Sequence, residues 1–257
     1  MLVMAASSDK LASTCMTNVS VMVALYGIIF GNYALQGSVS AITGVPVAII
    51  GVLGIGTIAR KLGQKKCLQV GTIGAMSMAT ILALIIIFGQ GGAFRLPTFK
   101  VTDLSTYGNL VTGANWSLLG VVFCLVYICM RAFAQMSSSI VIPMTADCAD
   151  YEVYRSGRYV PGLMGTLFSF VDKCISSFAA TIVALVFAAI GYTNTLPTQD
   201  DPYSVAILIA TLFLFLGLPM IGWILNVVAM KFYPLSKEKM ESIQDEIACI
   251  KAEAAKQ

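Results

Sequence analysis

Asp172 and Lys173 stand side by side in an apolar run otherwise built mainly of Phe, Val, Ile, Leu and Ala. A charged side chain at the centre of a bilayer costs on the order of 3 kcal/mol, so such residues face a polar interior and mark substrate or ion pathways. Lys173 is read here as lying on a permeation route. Around it Gly162, Thr166, Ser169 and Ser176 or Ser177 recur at helical spacing, with Asp172 turned about 100° away. A second stripe, Arg131, Gln135 and Ser138, repeats at i, i+4 and i+7. A third, Lys10, Thr14, Thr17, Asn18 and Ser20, keeps to one broad helix face. The chemistry open to these groups is electrostatic and hydrogen-bonding: holding a polar solute, answering a bound cation, or neutralising partners on neighbouring helices. Lys173, Asp172, Ser169, Arg131, Gln135, Ser138 and Asn18 are the candidate substrate-contacting residues. Hydroxyls that only bond their own i−4 carbonyls would leave the same pattern, and that alternative stays open for Ser and Thr.

Upstream of this run lies a polar segment, Asp147-Cys148-Ala149-Asp150-Tyr151-Glu152-Val153-Tyr154-Arg155-Ser156-Gly157-Arg158, after Pro143, which is expected to close the preceding span. Asp147, Asp150 and Glu152 facing Arg155 and Arg158 could form a salt-bridge latch, with Tyr151 beside them, that breaks when an inner gate opens. Exposed ion pairs are worth only about 0–1 kcal/mol, so a merely solvated loop is the competing reading.

Other chemistries find little support. The chain has no histidine, which removes His-based triads, metal ligands and proton relays. None of its seven cysteines forms a C-x-x-C pair, so neither a disulfide framework nor a zinc site is indicated. An enzyme would have to use Lys173 or a Cys as nucleophile with no base placed by spacing. The formal charge of +3 is spread among loops and argues against a nucleic-acid partner.

The elements that must position these residues are membrane helices. In 257 residues, 58% are hydrophobic and 11% charged, with a mean hydropathy of +0.84; a soluble domain carries about 25% charged residues. Apolar runs near 2–29, 38–60, 67–89, 116–142, 162–191 and 204–232 are each long enough to cross a hydrocarbon core of about 30 Å as a helix. Arg60, Lys61, Lys65, Lys66, Arg155, Arg158, Lys231, Lys237 and Lys239 fall on one side of these spans and only Arg95 and Lys100 on the other. The positive-inside rule therefore puts both termini in the cytoplasm of a multi-pass plasma (inner) membrane protein, with lipid as its first partner. Residues 90–115 read as a long external loop. The last span, polar only at Asn226, is expected against lipid. Residues 234–257 read as an amphipathic cytoplasmic tail helix, with Ile243, Ile247 and Ile250 at helical spacing. The first span opens almost at Met1 without a signal peptide, as a truncated chain would.

The turn Gly56-Thr57-Ile58-Ala59-Arg60-Lys61-Leu62-Gly63-Gln64-Lys65-Lys66 resembles the loop motif of the major facilitator superfamily, with Arg60 where that motif usually has an acid. The segment Ala146-Asp147-Cys148-Ala149-Asp150-Tyr151, followed by Lys173 on the next span, resembles the glycoside-pentoside-hexuronide:cation symporters, the melibiose-carrier branch. Leu11 to Asn18 and Ala24-Leu25-Tyr26 look like the start of that family's seventh helix. The resemblance implies an all-α, polytopic fold whose six spans are helices seven to twelve of a twelve-helix carrier. It implies a sugar or glycoside substrate, Na⁺ or H⁺ as coupling ion, no cofactor, and a partner half of six helices that supplies the cation ligands. Ser138 stands where the best-known sugar carrier has an aromatic, Phe168-Ser169 where it has Gln-Thr, and Asp172 where it has an aliphatic residue. Secondary active sugar transport is the resulting expectation, and the alternative is a non-transporting membrane scaffold or subunit, which would need no polar cavity.

Overall fold

A computed structural model describes residues 1–30, 35–90, 118–157, 161–193, 196–197 and 204–254, and among them the chain is helical with no strand. The helices are α1 (Leu2–Met16), α2 (Val19–Phe30), α3 (Leu35–Leu62), α4 (Gln64–Gln90), α5 (Leu118–Ser156), α6 (Pro161–Ala189), α7 (Val205–Leu212), α8 (Leu218–Lys231) and α9 (Lys237–Ala254), with a π-helical turn, Phe213–Gly217, joining α7 to α8. Five stretches are long and apolar enough to cross a membrane: Thr43–Leu62, Gln64–Ile86, Val122–Ser156, Gly162–Ala189 and Val205–Lys231. The all-α membrane fold expected above is thus present. The 90–115 loop, apart from Gln90, lies outside the described residues.

Three details differ from the sequence reading. The first apolar run is two helices, because Thr17 and Asn18 interrupt it: Thr17 Oγ1 donates to Ser13 O at 2.7 Å, and Asn18 Oδ1 accepts the backbone N–H of Ser20 at 3.1 Å. Asn18 therefore caps α2, spending its side chain on backbone. Second, α5 does not stop at Pro143 but continues for 39 residues to Ser156. A proline ends helices where water can take up the freed backbone groups; in apolar surroundings the helix continues and neighbouring groups re-satisfy them. Third, the last span contains the π turn, followed by Pro219, whose missing N–H leaves the helix ladder already short of one bond.

Lipid tails are as apolar as Leu, so helices in a bilayer associate through close packing and buried hydrogen bonds rather than through the hydrophobic effect. The glycine-dense α3 is not where this is tightest: a Cβ on Gly44 or Gly56 would meet nothing within 4 Å. The close seams run elsewhere. On α4, Thr72 Oγ1 and Ser137 Oγ of α5 share a buried hydrogen bond of 2.9 Å. On α8, a Cβ at Gly222 would fall 2.6 Å from the Ser8 carbonyl oxygen and 2.9 Å from Ala12 Cβ, so α1 and α8 touch backbone to backbone. In α8 the exposed side chains include Ile221, Ile224, Leu225 and Val228, while Trp223 and Asn226 are buried against the bundle.

The tail helix closes one end of the bundle. Met240, Ile243 and Ile247 are buried in a cluster with Leu68, Ile140, Met144 and Met230; Ile250 lies outside the residues whose side chains are described. Lys65 Nζ donates to Tyr233 O, Lys237 Nζ to Arg60 O at 3.3 Å, and Lys239 Nζ sits 5.6 Å from the centre of the Tyr151 ring. Gly63 (φ +85°) turns α3 into α4 in a left-handed conformation, and a Cβ there would come within 2.7 Å of Lys237 Cβ. The basic turn thus holds the chain leading into α9. Burial pushes the Tyr233 phenol well above its usual range, so it stays neutral beside Cys148.

Candidate functional site

α1, α5 and α6 enclose a cavity of about 690 Å³. Its wall combines small and apolar residues with Ser7, Asp9, Lys10, Ser138, Thr145, Ser169, Asp172 and Lys173. Of the polar flank of the first run only Lys10 reaches it, and because α5 continues past Pro143 its wall includes Thr145, Ala146 and Ala149 beyond the proline as well as Ser138 before it.

The charges pair in a way that periodicity alone does not specify. Asp172 Oδ1 lies 3.0 Å from Lys10 Nζ, each side chain about 40% exposed, at 40% and 38%. Lys173, on the adjacent face of α6, is exposed, and among the described residues no carboxylate lies within 4 Å of its ammonium. Asp172 is therefore the counter-charge of Lys10, not of Lys173. Asp9 is only 2% exposed, and its Oδ1 accepts the Trp223 Nε1–H at 3.1 Å. One turn further along α8, Asn226 Nδ2 donates to Ala5 O at 3.3 Å.

Of the seven candidates, Ser138, Ser169, Asp172 and Lys173 come together in this wall, whereas Arg131, Gln135 and Asn18 are absent from it. Gln135 is exposed and donates to Ser139 on its own helix at 2.9 Å. A Cβ on Gly51 of α3 would meet its side chain, so this part of the α5 stripe faces α3 instead. Arg131 is half-buried. For the flanking hydroxyls the plain structural role applies: Thr166, Ser176 and Ser177 donate to Gly162 O, Asp172 O and Lys173 O at 3.0, 2.8 and 3.1 Å. Asp9 has Trp223 as its hydrogen-bond partner, and neither Trp223 nor its α8 neighbour Asn226 carries a signal in the sequence beyond an i, i+3 spacing on a helix that reads as lipid-facing.

The latch expected after Pro143 takes another form. Asp147, Asp150, Tyr151 and Arg155 lie on the last turns of α5, and among the described residues no ion pair within 4 Å joins Asp147, Asp150 or Glu152 to Arg155. Residues three or four apart on a helix can pair, but Arg155 is exposed and water competes for it. Tyr151 packs 6.5 Å from the Tyr154 ring and under Lys239, so the contact across this end is made by α9. Arg158 lies outside the described residues.

Such a wall suits a small polar solute with an apolar skeleton. The Ser138 and Ser169 hydroxyls, the Lys10–Asp172 salt bridge and the Lys173 ammonium line a pocket whose remaining wall is mostly Val, Ile, Ala and Phe168, the usual balance of a small-molecule site. Among the described residues no group of three or more Cys, Asp or Glu is placed to hold a metal ion.

The comparisons with known proteins agree with this character. Residues 3–237 match the family described as MFS/sugar transport protein. The chain is 22% identical over 199 residues to an isoprimeverose transporter of Lactiplantibacillus pentosus, a match covering 77% of this chain and 34% of that protein. The chain thus spans about a third of its relative's length. No solved structure matches it at a significant level. A match running from the first turn of α1 to the start of α9, over a helical bundle with a charged cavity between its helices, makes this chain a member of the MFS/sugar transport protein family, whose members are membrane transporters and not enzymes.

Proposed function

We propose that the chain forms helices seven to twelve of a sugar:cation symporter of the melibiose-carrier type, and that the α1–α5–α6 cavity is its share of the sugar site. The observation that carries this reading is the convergence of Ser138, Ser169, Asp172 and Lys173, drawn from two helices, on one cavity. Sugar hydroxyls are met by the serines and the Lys10–Asp172 pair, and the apolar ring face by Phe168 and Val141. Lys173, with no carboxylate within 4 Å among the described residues, responds to a cation held by a partner half, so sugar and ion binding are linked through one ammonium. Rocking of two six-helix halves about this site gives alternating access. Both termini face the cytoplasm of the plasma membrane, and Na⁺ or H⁺ is the coupling ion. The six-helix half supplied by the remainder of a longer carrier is needed for activity, a reading supported by the match to only 34% of the relative.

Uptake of isoprimeverose and other glycosides by the complete carrier in vesicles tests this, with a Na⁺ or a proton gradient imposed. Lys173→Ala is expected to abolish gradient-driven accumulation while leaving downhill exchange measurable. Coupling unaltered in that variant would refute the role of Lys173, and absence of uptake of any glycoside would refute the assignment as a whole.

A further inference from the structure

Asp9 is a carboxyl group with almost no contact with water that nevertheless forms part of a cavity wall. It is held from behind by α8, where Trp223, itself 1% exposed, donates its indole N–H. The charged and titratable groups around it are few. On its own helix Lys10 is engaged by Asp172 and Cys15 is six residues on; on α6, Asp172 and Lys173 line the same cavity, with Cys174 next in sequence. The segments of α5 that line the cavity, at 138–149, contribute no charge to the wall, the π turn has no titratable residue, and α8 has none before Lys231. Among the described residues no cation lies within 4 Å of the Asp9 carboxyl. On the same seam Asn226 Oδ1 is buried without a partner among the described residues, so no spare donor is offered there. An ionised carboxylate in such a place loses its hydration and regains a single neutral donor, and a buried group so placed takes up a proton instead.

We propose that Asp9 is a proton-binding site in the cavity wall: its carboxyl is protonated while α1 lies against α8, and releases the proton to cavity water when that seam opens. The O–H bond that breaks passes its proton to water, leaving a negative charge in the same cavity wall as the Lys10–Asp172 pair, where it offsets part of the field that holds the ammonium on Asp172. Loss of the proton at Asp9 would therefore loosen the salt bridge that links α1 to α6 across the cavity. This site lies within the present chain, and its test does not depend on which sugar is carried.

The chain has two tryptophans, so Trp116→Phe leaves Trp223 as sole reporter. In the purified, lipid-reconstituted chain, its emission is expected to shift with pH along a single curve whose midpoint falls between about pH 5 and 9. Adding Asp9→Asn, which keeps an acceptor for the indole, is expected to abolish the shift. Infrared spectra of the ¹³C-aspartate-labelled chain at neutral pH should contain a protonated-carboxyl band that moves in Trp223→Phe, a readout that leaves Asp9 in place should Asp9→Asn fail to fold. An emission flat between about pH 5 and 9, the window into which burial moves carboxylates, would overturn the proposal, as would a curve unchanged by Asp9→Asn. So would the absence of the infrared band, or a shift driven by Na⁺ at fixed pH instead of by protons.

Discussion

At the scale of single residues, the contrast between two aspartates decides what each is for. Asp172 reaches an ammonium in a cavity open enough that both side chains keep about 40% of their exposure, at 40% and 38%. Solvent screening at that exposure limits such a pair to about 0–1 kcal/mol, so its value lies in setting charge geometry and not in holding the bundle together. In a double-mutant cycle of Lys10→Met and Asp172→Asn, each variant is expected to unfold within about 1 kcal/mol of the parent, with a coupling energy below that figure. A coupling of several kcal/mol, measured by reversible denaturation in lipid, would place the pair in a far drier environment than the one described here. What could be read in advance at this scale was the presence of intramembrane charge: Asp172, Lys173 and Lys10 break runs of apolar residues and announce themselves. Which of them pair could not be read, because partner choice depends on how α1 and α6 lie against each other, and periodicity says only which residues share a face of their own helix.

At the scale of the helix, seams depend on whether a side chain has room. Gly222 has none, since its Cβ would meet the Ser8 carbonyl, a backbone atom that cannot step aside. Gly222→Ala is expected to cost about 1–3 kcal/mol by overpacking α1 against α8. Gly165→Ala on α6, where a Cβ meets nothing within 4 Å, should instead be neutral or stabilising by up to about 1 kcal/mol, because alanine is the better helix former. Thermal unfolding of the two variants side by side checks this, and equal losses would contradict the seam. Five of the six apolar runs were visible as spans because their length alone identifies them. The division of the first at Thr17–Asn18 was hidden, since neither Gly nor Pro marks it and the hydropathy continues across. The run of α5 through Pro143 was hidden for the opposite reason: proline signals a stop in water but only a kink in apolar surroundings.

At the scale of the whole molecule, two packed clusters divide the bundle. One is built around Tyr127, Phe187, Phe215 and Trp223, and the other is capped by Tyr233 and the apolar face of α9. The amphipathic character of the tail was legible from its isoleucine spacing. Its docking on α5 and on the α3–α4 turn was not, because the receiving surface is assembled from Leu68, Ile140 and Met144, residues of two separate spans. The charge bias of the turns predicts an orientation that can be checked on intact cells. With the seven native cysteines replaced, a cysteine at Lys239 should react with a membrane-impermeant maleimide only after the cytoplasmic side is opened, and reaction from outside would invert the topology. The length of α5 bears on how such a molecule signals its state. Thirty-nine residues make a rod about 58 Å long, roughly twice the hydrocarbon thickness, and the polar residues at the Ser156 end place the surplus there. A tilt of about 10° pivoting at the cavity would swing the Ser156 end by roughly 2–5 Å, and α9, packed against it, would travel with it. The rod is an outboard lever that turns a small rearrangement among buried side chains into a displacement large enough to be felt in water.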